Sequence, residues 1–174
     1  PGEKWQYSNT GYSLLASVVE RVSGQTFYEY MDNTFFGPLN MESTAVYRVK
    51  NDSDFDENRS WGYREMLNGQ KRPNDQIPLF NLVGGGGIYS TAADLFKWSQ
   101  ALDSGSLLSE DSWKQATTVT QYADGKVKEY GFGWMLSPTK QGKKSVRHSG
   151  HWRGFKAMFA KFPEQQQTII ILTN

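Results

Sequence analysis

The 174 residues contain no cysteine. That excludes disulfides, a thiolate nucleophile and a zinc site built on cysteine, and it fits either side of a membrane. Histidine is scarce too. The two present, His148 and His151, lie three positions apart with no acidic residue spaced to complete a metal site, so no metal is expected. No apolar stretch approaches the roughly eighteen residues of a membrane span. An excess of one charge is also missing: 19 basic and 18 acidic residues leave a net +1 with no basic run, so nucleic-acid binding has no electrostatic footing. The four glycines Gly84-Gly85-Gly86-Gly87 are not followed by Gly-Lys-Ser/Thr and do not follow a buried parallel strand, so they are not a phosphate loop. Close approach of this backbone to another element is the expected use.

What remains reads as a folded chain. Apolar residues make up 37%, enough for one domain with a real core, and the 14% of aromatics suits either that core or a cleft for organic groups. Residues 10–23 predict a helix with Leu14, Val18 and Val22 on one face, joined by Leu15 and Val19, and Gly24 as its stop. A second helix is expected over 26–36, opened by the capping box Thr26-Phe27-Tyr28-Glu29 and closed by Pro38. Residues 43–82 carry little periodicity and predict a long irregular excursion with one short hairpin. Thr91-Ala92-Ala93-Asp94 is another capping box, for a helix to about Leu102 ending at Gly105, and Ser109 can cap a further short helix.

After Gly125 the period changes. Tyr130, Phe132, Trp134 and Leu136 alternate as in a strand, and strands are expected at 144–149, 154–162 and 167–173, with Pro163–Gln166 as a turn. The class is therefore α+β: a helical, loop-rich region over 1–124 and an antiparallel sheet region over 125–174.

Two short stretches carry candidate chemistry. In Tyr7-Ser8-Asn9, the tyrosine can move a proton if nearby cations lower its pKa, and the asparagine can clamp an amide; equally, Tyr7 can pack under the helix with Asn9 as its N-cap. In His148-Ser149-Gly150-His151, the glycine leaves a bare edge strand along which a ligand can lie, with an N–H aimed at a developing oxyanion; equally, His148 can be an exposed histidine near a turn.

The stretch from Pro1 to Thr44, containing Tyr-Ser-Asn, two helices and Pro38-Leu39-Asn40-Met41, resembles the middle of the serine beta-lactamase-like family. That family includes class C beta-lactamases, D-alanyl-D-alanine carboxypeptidases, D-aminopeptidases and esterases. Gly84–Leu102 resembles its glycine segment and following helix, and Tyr130–Leu136, Arg147–Phe159 and Thr168–Asn174 resemble its closing strands. His148-Ser149-Gly150 stands where the beta-lactamases have Lys-Thr-Gly, and Asn40 where the family has glycine. Residues 43–82 match least.

The resemblance implies a beta-lactamase/transpeptidase-like fold and acyl transfer through a serine ester, without metal or cofactor. Position by position, Tyr7 is implied as the proton-transfer tyrosine and Asn9 as the contact to the substrate's acyl-side amide. His148 takes the place of the edge-strand cation and Ser149 that of the neighbouring hydroxyl. The His151 N–H, just beyond Gly150, becomes one half of the oxyanion hole, and Arg153 is a candidate carboxylate contact.

The family's nucleophile is the serine of a Ser-x-x-Lys motif well upstream of the tyrosine, and only six residues precede Tyr7. The chain is therefore expected to be the carboxy-terminal part of such a hydrolase, a partial domain that is silent alone. Its uncovered sheet would pair with the absent segments or with another copy. Ser137-Pro138-Thr139-Lys140 spells Ser-x-x-Lys, but Gly142 and the next strand leave no room for a helix, so it is expected at a hairpin tip. Histidine in place of lysine favours a peptide of D-amino acids or an ester over a beta-lactam as substrate, and the resemblance favours a periplasmic or secreted setting. The alternative is a non-catalytic binding or regulatory module with a degenerate site.

Overall fold

The structure is a computed structural model describing residues 2–47, 59–74 and 83–174. Helix α1 spans Asn9–Ser23, α2 Phe27–Met31, α3 Ala92–Asp103 and α4 Glu110–Ala116. A π-helical turn, Asp32–Phe36, extends α2. Strands β1 (Ala45–Val46) and β4 (Ile88–Tyr89) pair, as do β2 (Tyr63–Glu65) with β3 (Lys71–Pro73) and β5 (Thr120–Gln121) with β6 (Val127–Lys128). The main sheet is β7 (Val146–Trp152), β8 (Phe155–Phe162) and β9 (Gln167–Thr173), antiparallel in that order. The α+β class holds. No helix among the described residues is long and apolar enough to cross a membrane.

Helix α1 begins on Ser8, whose Oγ accepts from the Gly11 N–H at 3.0 Å, and ends on Gly24 in the left-handed region. Asn9 is thus the first helical residue rather than the cap. The face that packs is Asn9, Tyr12 and Ala16, at i, i+3 and i+7. A Cβ on Gly85 would lie 2.9 Å from the Asn9 carbonyl oxygen, and one on Gly84 would lie 2.9 Å from the Ala16 Cβ and strike the Tyr12 carbonyl. The glycine run therefore lets two backbones touch, as its composition predicted. The apolar stripe points the other way: Leu14, Val18 and Val22 are 64%, 53% and 84% exposed.

The capping box of α2 is complete, with Thr26 and Glu29 bonded reciprocally. That of α3 is half formed. Thr91 caps the Asp94 N–H, but the Asp94 carboxylate turns away to the Ser43 N–H at 2.8 Å, the Thr44 hydroxyl at 3.0 Å and Lys97 at 2.8 Å. Burial alone would raise its pKa; these donors outweigh burial and hold it below the ordinary carboxylate value. Lys97 also reaches the Asn40 carbonyl. Asn40 itself takes φ 53°, a left-handed conformation that asparagine tolerates better than most residues after glycine. The turn survives its departure from the family's glycine, and Met41 is buried against Phe36 and Val46 in the core.

Helix α3 is fixed to the sheet by Lys161 on β8. Its buried ammonium donates to the Ser99 Oγ at 2.6 Å and to Asp103 at 2.9 Å, while Ser99 and Thr168 share a bond of 2.7 Å. The strand expected through Tyr130–Leu136 does not form. Gly133 at φ 80° bends the chain, the Gly131 N–H closes on the Trp134 carbonyl at 2.8 Å, and single bridges at Tyr130–Met135 and Met135–Arg147 replace a ladder. Phe132 stands at the bend, exposed. Of the excursion over 43–82, the predicted hairpin is β2–β3; positions 48–58 and 75–82 lie outside the described residues.

Candidate active site

Tyr7 sits one residue before the cap of α1, which aims the chain entering the helix, and its side chain is 48% exposed. His148 lies on the edge strand β7, opposite Phe159 of β8. Their rings stack, with centroids 6.1 Å apart and planes at 26°. The two candidates from opposite ends of the chain therefore meet.

Tyr130 completes the group, and sequence reasoning gave it no role beyond an inward strand position. Its hydroxyl lies 3.1 Å from His148 Nε2, and its ring packs edge-on to Tyr7 at 6.5 Å and against Trp5 at 5.2 Å. The Lys128 ammonium lies over the Trp5 ring at 4.4 Å. Burial, then repulsion from ionised Tyr12 and Tyr7, pushes the Tyr130 pKa to about 12; burial, then Tyr7, also raises Tyr12. Both stay phenols at neutral pH. A groove of about 300 Å³ runs beside this cluster, walled by Trp5, Tyr7, Tyr12, Leu15, Thr120 and Tyr130. His148 stands outside its lining and touches it through Tyr7 and Tyr130.

The other candidates are distributed along the elements that carry this pair. Asn9 is exposed at the start of α1 with its backbone against Gly85. Gly150 shares a strand face with His148, while Ser149 and His151 alternate to the other face; all three are exposed. A Cβ on Gly150 would meet only the Ala157 Cβ, at an ordinary 3.5 Å, so the fold does not require glycine there. Arg153 is not gathered in. It occupies the β7–β8 turn at φ 29° with its guanidinium 5.7 Å over Trp152, about 16 Å along the strand from His148. Ser137–Lys140 is not helical: Thr139 and Lys143 close a turn at 2.9 Å, and Lys140 is exposed.

Known proteins share this fold. A penicillin-binding protein of Bacillus subtilis is 30% identical over all of this chain and 40% of its own length. A D-aminopeptidase of Gluconobacter oxydans is 23% identical over all of this chain and 32% of its own. The structure of an octameric penicillin-binding protein homologue from Pyrococcus abyssi superposes with a TM-score of 0.83 at 28% identity, over all of this chain and 39% of that one. The chain thus spans about two fifths or less of the length of these relatives. The family model described as Beta-lactamase matches residues 1–174, and the chain belongs to the beta-lactamase family.

Proposed function

We propose that this chain supplies the tyrosine–asparagine and edge-strand parts of an acyl-transfer site, in a serine hydrolase whose nucleophilic serine and lysine come from outside these 174 residues. The observation that carries the reading is the Tyr7–His148 stack at 6.1 Å.

The chemistry follows from the groups. The serine oxygen attacks an amide or ester carbonyl while the Tyr7 phenolate takes its proton. As the carbonyl re-forms, the C–N or C–O bond breaks, the Tyr7 phenol returns that proton to the departing amine or alcohol, and the acyl-serine remains. A tyrosine does this only beside a cation that favours the phenolate, the task of the lysine in Ser-x-x-Lys. The oxyanion is held by two N–H groups, one from the serine and one from His151. Gly150 leaves strand β7 bare, so an extended acyl chain can pair along it. Asn9 meets the acyl-side amide; His148 and Ser149 hold the substrate's other end, with Arg153 as an outlying carboxylate contact. A neutral histidine grips a carboxylate less firmly than a permanent cation. Peptides of D-amino acids and esters are therefore preferred over beta-lactams, in keeping with the activity named for the Gluconobacter relative.

The same reading gives the exposed apolar surface a purpose. Ile169 and Ile171 on the edge strand β9 are 48% and 52% exposed. Phe155 and Phe159, by contrast, are partly covered by Tyr89 and Trp134. Other segments of the hydrolase, or a second copy, cover β9. Light scattering of the 174-residue chain should show association; a clean monomer contradicts it.

The site reading is tested in a protein that joins this chain to its Ser-x-x-Lys segment. Tyr7→Phe should slow acylation by about a hundredfold or more with the fold intact. Full activity in that variant sends the proton elsewhere, and a parent without any esterase or peptidase activity points to a binding module.

A further inference from the structure

We infer that Tyr130 is a positioning residue for His148: its hydroxyl donates to Nε2 and so puts the imidazole's own proton on Nδ1. The inference rests on the proposed role of His148 in the acyl-transfer site and says which atom of that residue meets the substrate.

Tyr130 is 8% exposed, so most of the phenol is withdrawn from water, with the groove along one side. Among the described residues, the one hydrogen-bond partner of that hydroxyl is His148 Nε2, at 3.1 Å. A buried O–H with no acceptor is costly. Were Nε2–H the donor, the phenol's proton would have no protein acceptor among the described residues. With Tyr130 as donor, both groups are satisfied. The phenol keeps its proton throughout the physiological range, because burial holds its pKa near 12. A neutral imidazole has one donor and one acceptor nitrogen, so an accepting Nε2 leaves Nδ1–H.

The consequence is chemical. Where the beta-lactamases have the lysine of Lys-Thr-Gly, the neutral form of this imidazole presents an Nδ1–H. Tyr130 ensures that the free nitrogen is a donor and not a lone pair. Such a group can hold a substrate carbonyl or carboxylate oxygen without competing for the proton that Tyr7 is to carry. The ring is held in place between the Tyr130 hydroxyl and the Tyr7 face.

The two-histidine composition makes the test clean. The 15N-labelled 174-residue chain is examined by two-bond proton–nitrogen correlation at about pH 8.5, two units above the ordinary imidazole value of about 6.5. His148 should show Nδ1 protonated, in about tenfold excess over the other tautomer. Exposed His151 should show the Nε2–H form preferred by an unconstrained histidine side chain. Tyr130→Phe keeps the ring among Trp5 and Tyr7 and removes the hydroxyl; His148 should then revert to the His151 pattern while the β7 amide signals persist. Nε2–H on His148 in the unaltered chain, read without any variant, overturns the inference, as does a pattern unmoved by Tyr130→Phe. Neither result bears on whether Tyr7→Phe slows acylation, so failure of this inference and failure of the proposed function are told apart.

Discussion

The rings of Tyr7 and His148 lie 26° from parallel and 6.1 Å apart, although one precedes the first helix and the other sits on the first strand of the last sheet. Nothing local joins them. The stack depends on α1 being held against the glycine run and on β7 being paired through its whole length with β8. Each support can be tested.

Gly84 takes φ 90°, and a side chain there would strike the Tyr12 carbonyl of α1. Gly84→Ala should cost about 2–4 kcal/mol, through strain and displacement of the helix. Gly86 has open space around its Cβ position, so Gly86→Ala should stay within about 0.5 kcal/mol. Urea midpoints of the two variants check this; equal midpoints would mean that the close approach carries no weight.

Gly150 separates structure from function. Its Cβ position meets only Ala157, at 3.5 Å. Gly150→Ala should therefore leave stability within about 0.5 kcal/mol of the original. A methyl group on the bare strand would still misplace an acyl chain, and acylation in the nucleophile-bearing protein should fall by about tenfold or more. Unchanged kcat/KM would show that substrate does not lie along this strand.

Tyr130 predicts a loss of stability in alkali. Its pKa is about 12 in the fold and about 10 in an unfolded chain. Between those values the folded chain keeps a proton that the unfolded chain has lost. This contribution is full below about pH 10 and disappears as pH rises towards 12. Tyr12, raised by burial, acts in the same direction. Tyr130→Phe should flatten the decline of the urea midpoint between about pH 10 and 12. An identical decline in both proteins would contradict the burial of this phenol.

Much of the fold is legible in the sequence because caps and turns are local. Thr26, Thr91, Ser109, Gly24 and Gly105 mark helix ends, and all stand at or beside the observed boundaries. The departures are tertiary. The sequence offers Asn9 as the cap of α1, but the Ser8 hydroxyl, one residue earlier, takes the Gly11 N–H. Asp94 has the spacing of a capping-box acid, but Ser43 and Thr44 arrive from another segment and offer it better donors. The alternation from Tyr130 to Leu136 has a strand's period, yet Gly131 and Gly133 lie between its members, and one glycine at φ 80° is enough to turn the chain.

The site was half legible for the same reason. Tyr7 and His148 come from separate motifs with known partners in the family, and the geometry brings them together. Tyr130 carries no motif of its own. Its part depends on the bend at Gly133 and on the Met135–Arg147 bridge, which draw its hydroxyl to β7. A pattern of apolar and polar positions holds no trace of that contact.

The account stands most directly on covalent labelling. A serine-directed phosphonate is added, at equal concentration, to the 174-residue chain and to a protein joining it to its Ser-x-x-Lys segment, and both are read by intact mass and peptide mapping. The account predicts one adduct on the serine of the joined segment, slowed by about a hundredfold or more in Tyr7→Phe, and none on the 174-residue chain. Stoichiometric labelling of the 174-residue chain, at Ser137 or any other serine, or a joined protein that takes no label, would contradict it.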